Sequence, residues 1–179
     1  MQGLVDFASQ IGEALAVLLP TFAYLAALAC FVFAVWGFWM QSQPHNAFVG
    51  RPWIPFLSLV LSGAFASFDK ILSMALASAG SSLSASITSL SSYSPPTVAD
   101  TTSLMGSTPS ATLVNVVTLF QAFFQSFGAM CCFFALLSWR SVVNGRANRS
   151  QMGCVVQFAF GIMLINIVAI ANALIGMFA

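Results

Sequence analysis

The feature of this sequence that most constrains its fold is a series of long apolar stretches that carry almost no charge. Residues 21–40 contain no charged side chain, and about 20 such residues in a helix cross the hydrocarbon core of a bilayer. Only 5% of the 179 residues are charged and 59% are hydrophobic, whereas soluble domains hold roughly 25% charged residues. A soluble core of this size could not cover so much apolar surface. The sequence therefore predicts an integral membrane protein.

The apolar segments show the periodicity of helices that pack against other helices. In the segment at about 114–139, small or polar residues recur at steps of three and four, which places them on one helical face. They are Thr118, Gln121, Gln125, Gly128, Cys132 and Ala135. A similar stripe occurs in the first segment. It comprises Ala23, Ala27, Cys30, Ala34 and Gly37. Faces of this kind are typical of helix contacts in lipid.

We expect an all-α integral membrane protein with about four transmembrane helices, arranged as two hairpins, and an N-terminal amphipathic helix. Residues 1–19 have the pattern of a helix lying in the membrane interface. Residues 20–79 form the first predicted hairpin, with spans at about 21–40 and 53–79. Residues 80–113 are predicted to form a Ser/Thr-rich loop. Residues 114–179 are predicted to form the second hairpin, with spans at about 114–139 and 154–178. Pro20 marks either the start of a new helix or a kink in one long helix.

The distribution of charge predicts the orientation. Four of the five basic residues lie in or beside the two short turns. They are Arg51, Arg140, Arg146 and Arg149. The positive-inside rule places the turns at 41–52 and 140–152 in the cytoplasm, and both termini and the 80–113 loop on the other side. The four tryptophans lie near the same turns, where interfacial aromatic residues belong.

Asp69 and Lys70 interrupt the second apolar segment, and two interpretations stay open. In the first, the span ends near Phe68 and both side chains lie at the outer headgroups. In the second, Asp69 lies within the membrane, where an ionisable group is costly and indicates an inter-subunit contact or a hydrated path. Lys70 can extend outward in either case.

Amide side chains on the last two spans are candidates for contacts between helices or between subunits. They are Gln121 and Gln125 on the third span and Gln157 and Asn172, with Gly161, on one face of the fourth. Amides hydrogen-bond across packed helices, and a polar pore wall is the alternative. Asn166 points away from that face, which suggests a separate partner such as another subunit. The loop arginines determine topology, or they dock to anionic lipid headgroups or to a cytoplasmic partner.

No set of residues typical of catalysis is present in the sequence. There is no Ser/His/Asp arrangement, no phosphate-binding glycine loop and no close acid pair. The sequence has a single histidine, His45, and four cysteines within apolar segments, which do not suggest a set of ligands for a metal ion. Cysteines in such segments usually serve as small hydrophobic residues. Nothing forms the basic face of a nucleic-acid binder. We therefore predict no enzyme activity, no cofactor and no direct nucleic-acid binding.

The two halves of the sequence share one plan, in which a span is followed by a basic turn and a second span. When the sequence is aligned with itself at an offset of 98 residues, the stripe of the first span coincides with that of the third. Ala23 then aligns with Gln121, and Cys30 with Gly128. The same offset places Gly63 on Gly161. Stripes of small residues also arise by convergence, so an internal repeat and independent origins both remain open.

The C-terminal hairpin carries a resemblance to a known group of proteins. It reads LFQAFFQSFGAMCCFFALLSWRSVVNGRANRSQMGCVVQFAFGIMLINIVAIANAL. This run resembles small inner-membrane proteins of type IVB secretion and IncI-type conjugation systems, the DotE/IcmC-like, DotP/IcmD-like and TraQ-like proteins. The shared features are a phenylalanine- and glutamine-rich span, a short basic loop, and a glycine-containing span with a run such as Gly161-Ile-Met-Leu-Ile-Asn166-Ile167. The match covers about 60 of the 179 residues.

The resemblance implies a structural or channel subunit of a bacterial machine that moves DNA–protein complexes or effectors across the envelope. It also implies the bacterial inner membrane, which makes the 80–113 loop periplasmic, with lipids and other subunits of a homo- or hetero-oligomer as partners. Two other classes stay open. One is a pilin-like subunit of a conjugative filament, and the other is a small oligomeric membrane pore.

Overall fold

The computed structural model describes residues 2–44, 48, 51–79, 105–106, 108–145 and 147–178. Within these residues there are seven helices and no strand. In chain order they are α1 (Gln2–Gln41), α2 (Trp53–Ala66), α3 (Phe68–Ser78), α4 (Pro109–Leu119), α5 (Gln121–Val143), α6 (Gln151–Ile165) and α7 (Ile167–Phe178). The prediction of an all-helical protein is confirmed for the described part of the chain. Two helices are long and apolar enough to cross a membrane, or up to four if each bent pair counts as one span.

α1 is one helix of 40 residues that includes Pro20. A proline inside a helix removes one backbone hydrogen bond. Next to it, the Thr21 hydroxyl donates to the carbonyl oxygen of Val17 at 3.3 Å. At 1.5 Å per residue the helix is about 60 Å long, roughly twice the hydrocarbon thickness of a bilayer. Of the two alternatives at Pro20, the structure therefore has one long helix, and residues 2–19 are its N-terminal part.

The second predicted span, 53–79, is broken at Ser67. α2 and α3 meet there at a bend of 79°, and Ser67 leaves the helical region at φ −109° and ψ 27°. Hydrogen bonds continue on both sides of the break, because the Ser67 amide donates to the carbonyl oxygen of Gly63 at 3.0 Å and its carbonyl accepts from Ile71 at 3.0 Å. The 14 residues of α2 extend only about 21 Å. The break falls beside Phe68, the residue near which one of the two interpretations of Asp69 and Lys70 ends the span.

The fourth predicted span, 154–178, is broken in the same way at Asn166. α6 and α7 meet at 80°, and Asn166 has φ −93° and ψ 20°. The start of α6 is fixed by Ser150, whose side chain accepts a hydrogen bond from the Gly153 amide at 3.1 Å, a typical N-cap. The helix therefore begins at Gln151, three residues before the predicted boundary.

The third predicted span, 114–139, is longer in the structure than predicted and is divided into two helices. α4 starts at Pro109, with Thr108 as the N-cap that accepts from the Ala111 amide at 3.3 Å, and proline suits the first helical turn. The chain leaves the helix at Phe120 and continues as α5 to Val143. Residues 109–113, predicted as the end of the loop, are therefore helical. Residues 80–104 and 107 of that loop lie outside the described residues.

The core lies between two helical hairpins, α1–α2 and α5–α6, which are joined through contacts of α1 with α5. α4 packs against α7 on the side of the molecule away from the turns. Small side chains of α1 and α5 and large ones of α2 and α3 fill the core. They include Ala23, Ala27, Cys30, Phe65, Phe68, Leu72, Ala129, Cys132 and Phe133. The whole α1 stripe predicted from the sequence is buried.

The two halves also repeat the same order of elements. Each has a long helix, a basic turn, a helix of 14 or 15 residues, a one-residue break, and a helix of 11 or 12 residues. The two bends are nearly equal, at 79° and 80°. The breaks at Ser67 and Asn166 fall within one residue of the sequence offset of 98. The structure thus extends the similarity between the halves from the stripes to the bends.

Candidate functional site

Two helices approach each other closely where α5 crosses α6, at Gly128 and Gly161. A Cβ atom at Gly128 would lie 2.6 Å from the carbonyl oxygen of Gly161, and one at Gly161 would lie 2.5 Å from the Cys132 sulfur. The Cys132 thiol also donates to the carbonyl oxygen of Phe158 at 3.4 Å. Backbones approach this closely only where side chains are absent. The crossing therefore holds the second hairpin together through backbone contact.

The amide residues singled out in the sequence do not gather at this crossing. Gln121 and Gln125 are half-buried in the first turns of α5, and Asn172 is exposed on α7. Gln157 accepts a hydrogen bond from the Arg149 Nη1 atom at 3.1 Å. In the described structure this amide therefore connects the start of α6 to the arginine loop.

Two serines that the sequence analysis did not single out connect α1 to both of its neighbours. The Ser62 hydroxyl of α2 donates to the carbonyl oxygen of Ala27 at 2.9 Å. The Ser126 hydroxyl of α5 donates to the carbonyl oxygen of Gly12 at 3.2 Å, and Ser126 is buried. Bonds of this kind satisfy a hydroxyl in an apolar environment. A serine on the buried side of an apolar helix is the sequence signal that would have identified both.

Asn166 lies in the break between α6 and α7 and is buried, with 6% of its surface exposed. Its Oδ1 atom has no hydrogen-bond partner among the described residues. In one continuous helix, Asn166 would point away from the face that carries Gln157 and Asn172, as predicted. The break turns the chain at this position, so the side chain lies inside the fold.

Asp69 and Lys70 lie just after the break at Ser67, in the first turn of α3, and both are exposed. An acidic residue in the first turn interacts favourably with the helix dipole. A small pocket beside Asp69 is formed with Pro20, Tyr24 and Phe65. The helix that starts at Trp53 therefore ends before either charged residue, as the first interpretation of this pair required.

The described residues of the two basic turns, 41–52 and 140–152, lie side by side. We call this part of the molecule the basic loop end. The Arg140 guanidinium carbon lies 5.6 Å from the ring centroid of Phe33, within the range of a cation–π interaction. The Nη1 atom of Arg51 lies 3.1 Å from the position of a Cβ at Gly145, whose φ is +68°. Arg149 is exposed. Arg146 lies outside the residues whose placement is described.

Two further aromatic rings pack with Phe33 at the same end. Phe33, Trp36 and Phe48 lie within 5.9 to 6.2 Å of one another, measured between ring centroids. The Gln41 side chain donates to the carbonyl oxygen of Pro52 at 2.8 Å and connects the two ends of the first turn. The described residues of the basic loop end thus bring cationic and aromatic side chains together.

Titratable groups do not cluster elsewhere in the described part of the chain. No group of three or more His, Cys, Asp or Glu side chains that could hold a metal ion occurs among these residues. Cys30, Cys132 and Cys154 are buried free thiols, and Cys131 is a partly buried one.

The geometry defines a bundle of apolar helices with two to four candidate membrane spans, one tight helix crossing and one basic end. Comparison with protein-family models, with curated proteins and with solved structures gives no match. Function must therefore be argued from the residues of this chain.

The orientation of the basic loop end stays a prediction, and it can be measured by cysteine labelling. In a variant without the native cysteines, we expect Asn148→Cys at the basic loop end to react with an impermeant thiol reagent only after the membrane is permeabilised. Ser110→Cys, which lies on α4, should react in intact cells. Both positions are exposed in the fold, so burial would not prevent the reaction. Labelling of Asn148→Cys in intact cells would reverse the orientation.

Proposed function

We propose that this chain is a structural or channel subunit of a bacterial type IVB secretion or conjugative DNA-transfer machine in the inner membrane. One observation carries the proposal. The hairpin that resembles the small inner-membrane proteins of those systems also contains a close helix crossing, at Gly128 and Gly161. A hairpin held rigid by backbone contact is suited to presenting fixed surfaces to neighbouring subunits.

The exposed surface supports a role in packing within the membrane. Large apolar side chains cover the outer faces of α1 and α6. They include Phe22, Leu25, Leu28, Val32, Val156, Phe160 and Met163. Such side chains suit contact with lipid chains or with the apolar faces of other subunits. In the proposed machine the basic loop end faces the cytoplasm, and homo- or hetero-oligomers form through these faces.

A gene deletion with complementation tests the proposal. We expect deletion to abolish conjugative transfer or effector secretion, and the wild-type gene to restore it. The purified protein alone should give no conductance in liposomes, and envelope preparations should contain it in a ring-shaped assembly. Transfer at the wild-type level after deletion would contradict the proposal, and a filament built from this chain would point to the pilin-like alternative.

A small oligomeric membrane pore is the second candidate, and one observation favours it. Both halves contain a broken helix at a corresponding position, with a buried amide at Asn166. Helices broken at matching positions of two repeats are typical of transport proteins, where the freed ends surround the substrate path. Conductance from the purified protein in liposomes, abolished by Asp69→Ala, would favour the pore over the machine subunit.

A further inference from the structure

A groove that opens on the outer surface runs between α1 and α5, the helices that join the two halves. We call it the α1–α5 groove. Its volume is about 470 Å³, and its lining extends from Leu15 to Ala29 on α1 and from Met130 to Leu137 on α5. The lining side chains are apolar, and those of Phe22, Leu25 and Phe134 are substantially exposed. The groove is therefore accessible to an apolar molecule from the side.

The groove is long enough to hold one extended hydrocarbon chain. From Leu15 to Ala29 the helix rises about 21 Å at 1.5 Å per residue. The hydrocarbon layer of one leaflet is half of the roughly 30 Å core of a bilayer. A groove of this length along a spanning helix lies parallel to the lipid chains. An acyl chain fills it without leaving a polar group unpaired, whereas a polar solute would lose its hydration there.

One end of the groove leads directly to Arg140. Ala29 lies one helical turn before Phe33, and Leu137 lies one turn before Arg140, so the groove and the cation–π pair share a face. The Arg140 guanidinium carbon is 5.6 Å from the Phe33 ring centroid. Its Nε atom is buried and has no hydrogen-bond acceptor among the described residues. A buried donor of this kind favours an anionic acceptor, which forms the stronger, charge-assisted hydrogen bonds.

Among the residues that the structure describes, no carboxylate side chain is placed to supply that acceptor. Residues 14–68 and 101–179 contain no Asp or Glu. Glu13 precedes Phe33 by about 30 Å along α1, and Asp69 follows the break at the far end of α2. The carbonyl groups at the C-terminal end of α5 favour a cation at Arg140, but they carry only partial charge. The basic loop end, which also contains Arg51, therefore keeps an excess of positive charge.

We infer that the α1–α5 groove and Arg140 form a binding site for an anionic phospholipid. One acyl chain lies along the groove, and the phosphate lies beside the Arg140 guanidinium at the basic loop end. The aromatic rings of Phe33 and Trp36 lie at the level of the headgroup, where such rings are stable. This inference concerns the leaflet at the basic loop end and holds whichever transport role the protein has.

Native mass spectrometry of the full chain tests the headgroup part of the inference. Protein in detergent micelles is titrated with phosphatidylglycerol or with phosphatidylcholine of the same acyl chains. We expect phosphatidylglycerol to bind about fivefold more tightly, the effect of one arginine near the membrane surface. Arg140→Gln should remove this preference. Arg149→Gln, which removes an exposed arginine at the same end, should leave it within about twofold.

Equal losses in the two arginine variants would show that general surface charge attracts the lipid and would overturn the inference. Equal binding of the two lipids to the wild-type protein would do the same. The helical content and elution volume of each variant are measured first, so that a misfolded protein is recognised. Arg140→Lys provides a second variant that keeps the charge, and it should retain most of the preference if the phosphate is the ligand.

A second pair of variants tests the acyl-chain part. Ala29→Phe places a ring in the groove beside Leu137, and we expect it to weaken binding of both lipids. Leu28→Phe adds a ring at the neighbouring position, which is 61% exposed and does not line the groove, and it should leave binding unchanged. Equal affinities in Ala29→Phe and Leu28→Phe would show that the groove does not hold the chain.

Discussion

Replacing Gly161 by valine should separate α5 from α6 and produce the largest loss of stability among single substitutions outside the aromatic core. A Cβ at this position would lie 2.5 Å from the Cys132 sulfur and 2.7 Å from the carbonyl oxygen of Gly128. The second contact is with backbone, which cannot move away as the end of a flexible side chain would. Overpacking of this kind costs about 3 kcal/mol. Unfolding by denaturing detergent in mixed micelles, followed by circular dichroism, measures the change.

Gly63→Val is the matched control, because Gly63 occupies the corresponding position of α2 in the first half. A Cβ there meets nothing within 4 Å. Both substitutions introduce the same β-branched residue into a helix, so their effects on helix propensity are similar. We expect the free energy of unfolding of Gly63→Val to stay within about 0.5 kcal/mol of the wild-type value. A similar loss in both variants would show that the crossing at Gly161 is not the cause.

The same pair connects stability to the proposed function. If the rigid hairpin presents a surface to other subunits, Gly161→Val should abolish transfer together with the native fold. Gly63 is exposed on α2, so Gly63→Val reports on that surface while the fold persists. Loss of transfer in Gly63→Val with unchanged stability would place a subunit contact at α2.

The faces of the helices were predictable from the sequence because small residues have a strong effect on packing in lipid. The α1 stripe at Ala23, Ala27, Cys30, Ala34 and Gly37 is buried throughout. On α5, Gly128 and Cys132 lie at the crossing, as part of a stripe with the same steps. Step patterns of three and four residues identify a face of a helix. They do not identify the helix that covers that face, so Gly63 and Gly161 looked equivalent although only Gly161 is in close contact.

The bends could not be predicted, because neither break carries the residues that usually cause one. Sharp kinks are expected at proline or glycine, but the breaks fall at Ser67 and Asn166, and the proline inside α1 does not end that helix. Tertiary contacts, such as those of α4 with α7, favour a turn that the local sequence does not specify. The partner of Gln157 was not predictable for a different reason, because Arg149 belongs to a loop without helical periodicity.

One aromatic residue of the second half packs against both helices beside the first break, and its removal should have the second large effect. Phe133 of α5 is 5% exposed, and its ring lies 5.6 Å from that of Phe65 and 6.0 Å from that of Phe68, on both sides of the first break. Phe133→Ala removes both edge-to-face contacts and leaves a cavity. In soluble cores this costs about 3–5 kcal/mol. Lipid is itself apolar, so only the packing part remains here, about 2 kcal/mol.

Phe134→Ala separates this effect from the general loss of an aromatic side chain in the same helix. Phe134 is the next residue, but it is 46% exposed on the outer surface, and we expect its removal to change the free energy of unfolding by about 0.5 kcal/mol or less. The two variants can be compared in the same mixed-micelle titration. Limited proteolysis adds a second measurement, since Phe133→Ala should loosen α2 and α3 from α5 and increase the rate of cleavage near the Ser67 break. If both variants lose the same stability, the bend at Ser67 is held by contacts other than those of the Phe133 ring.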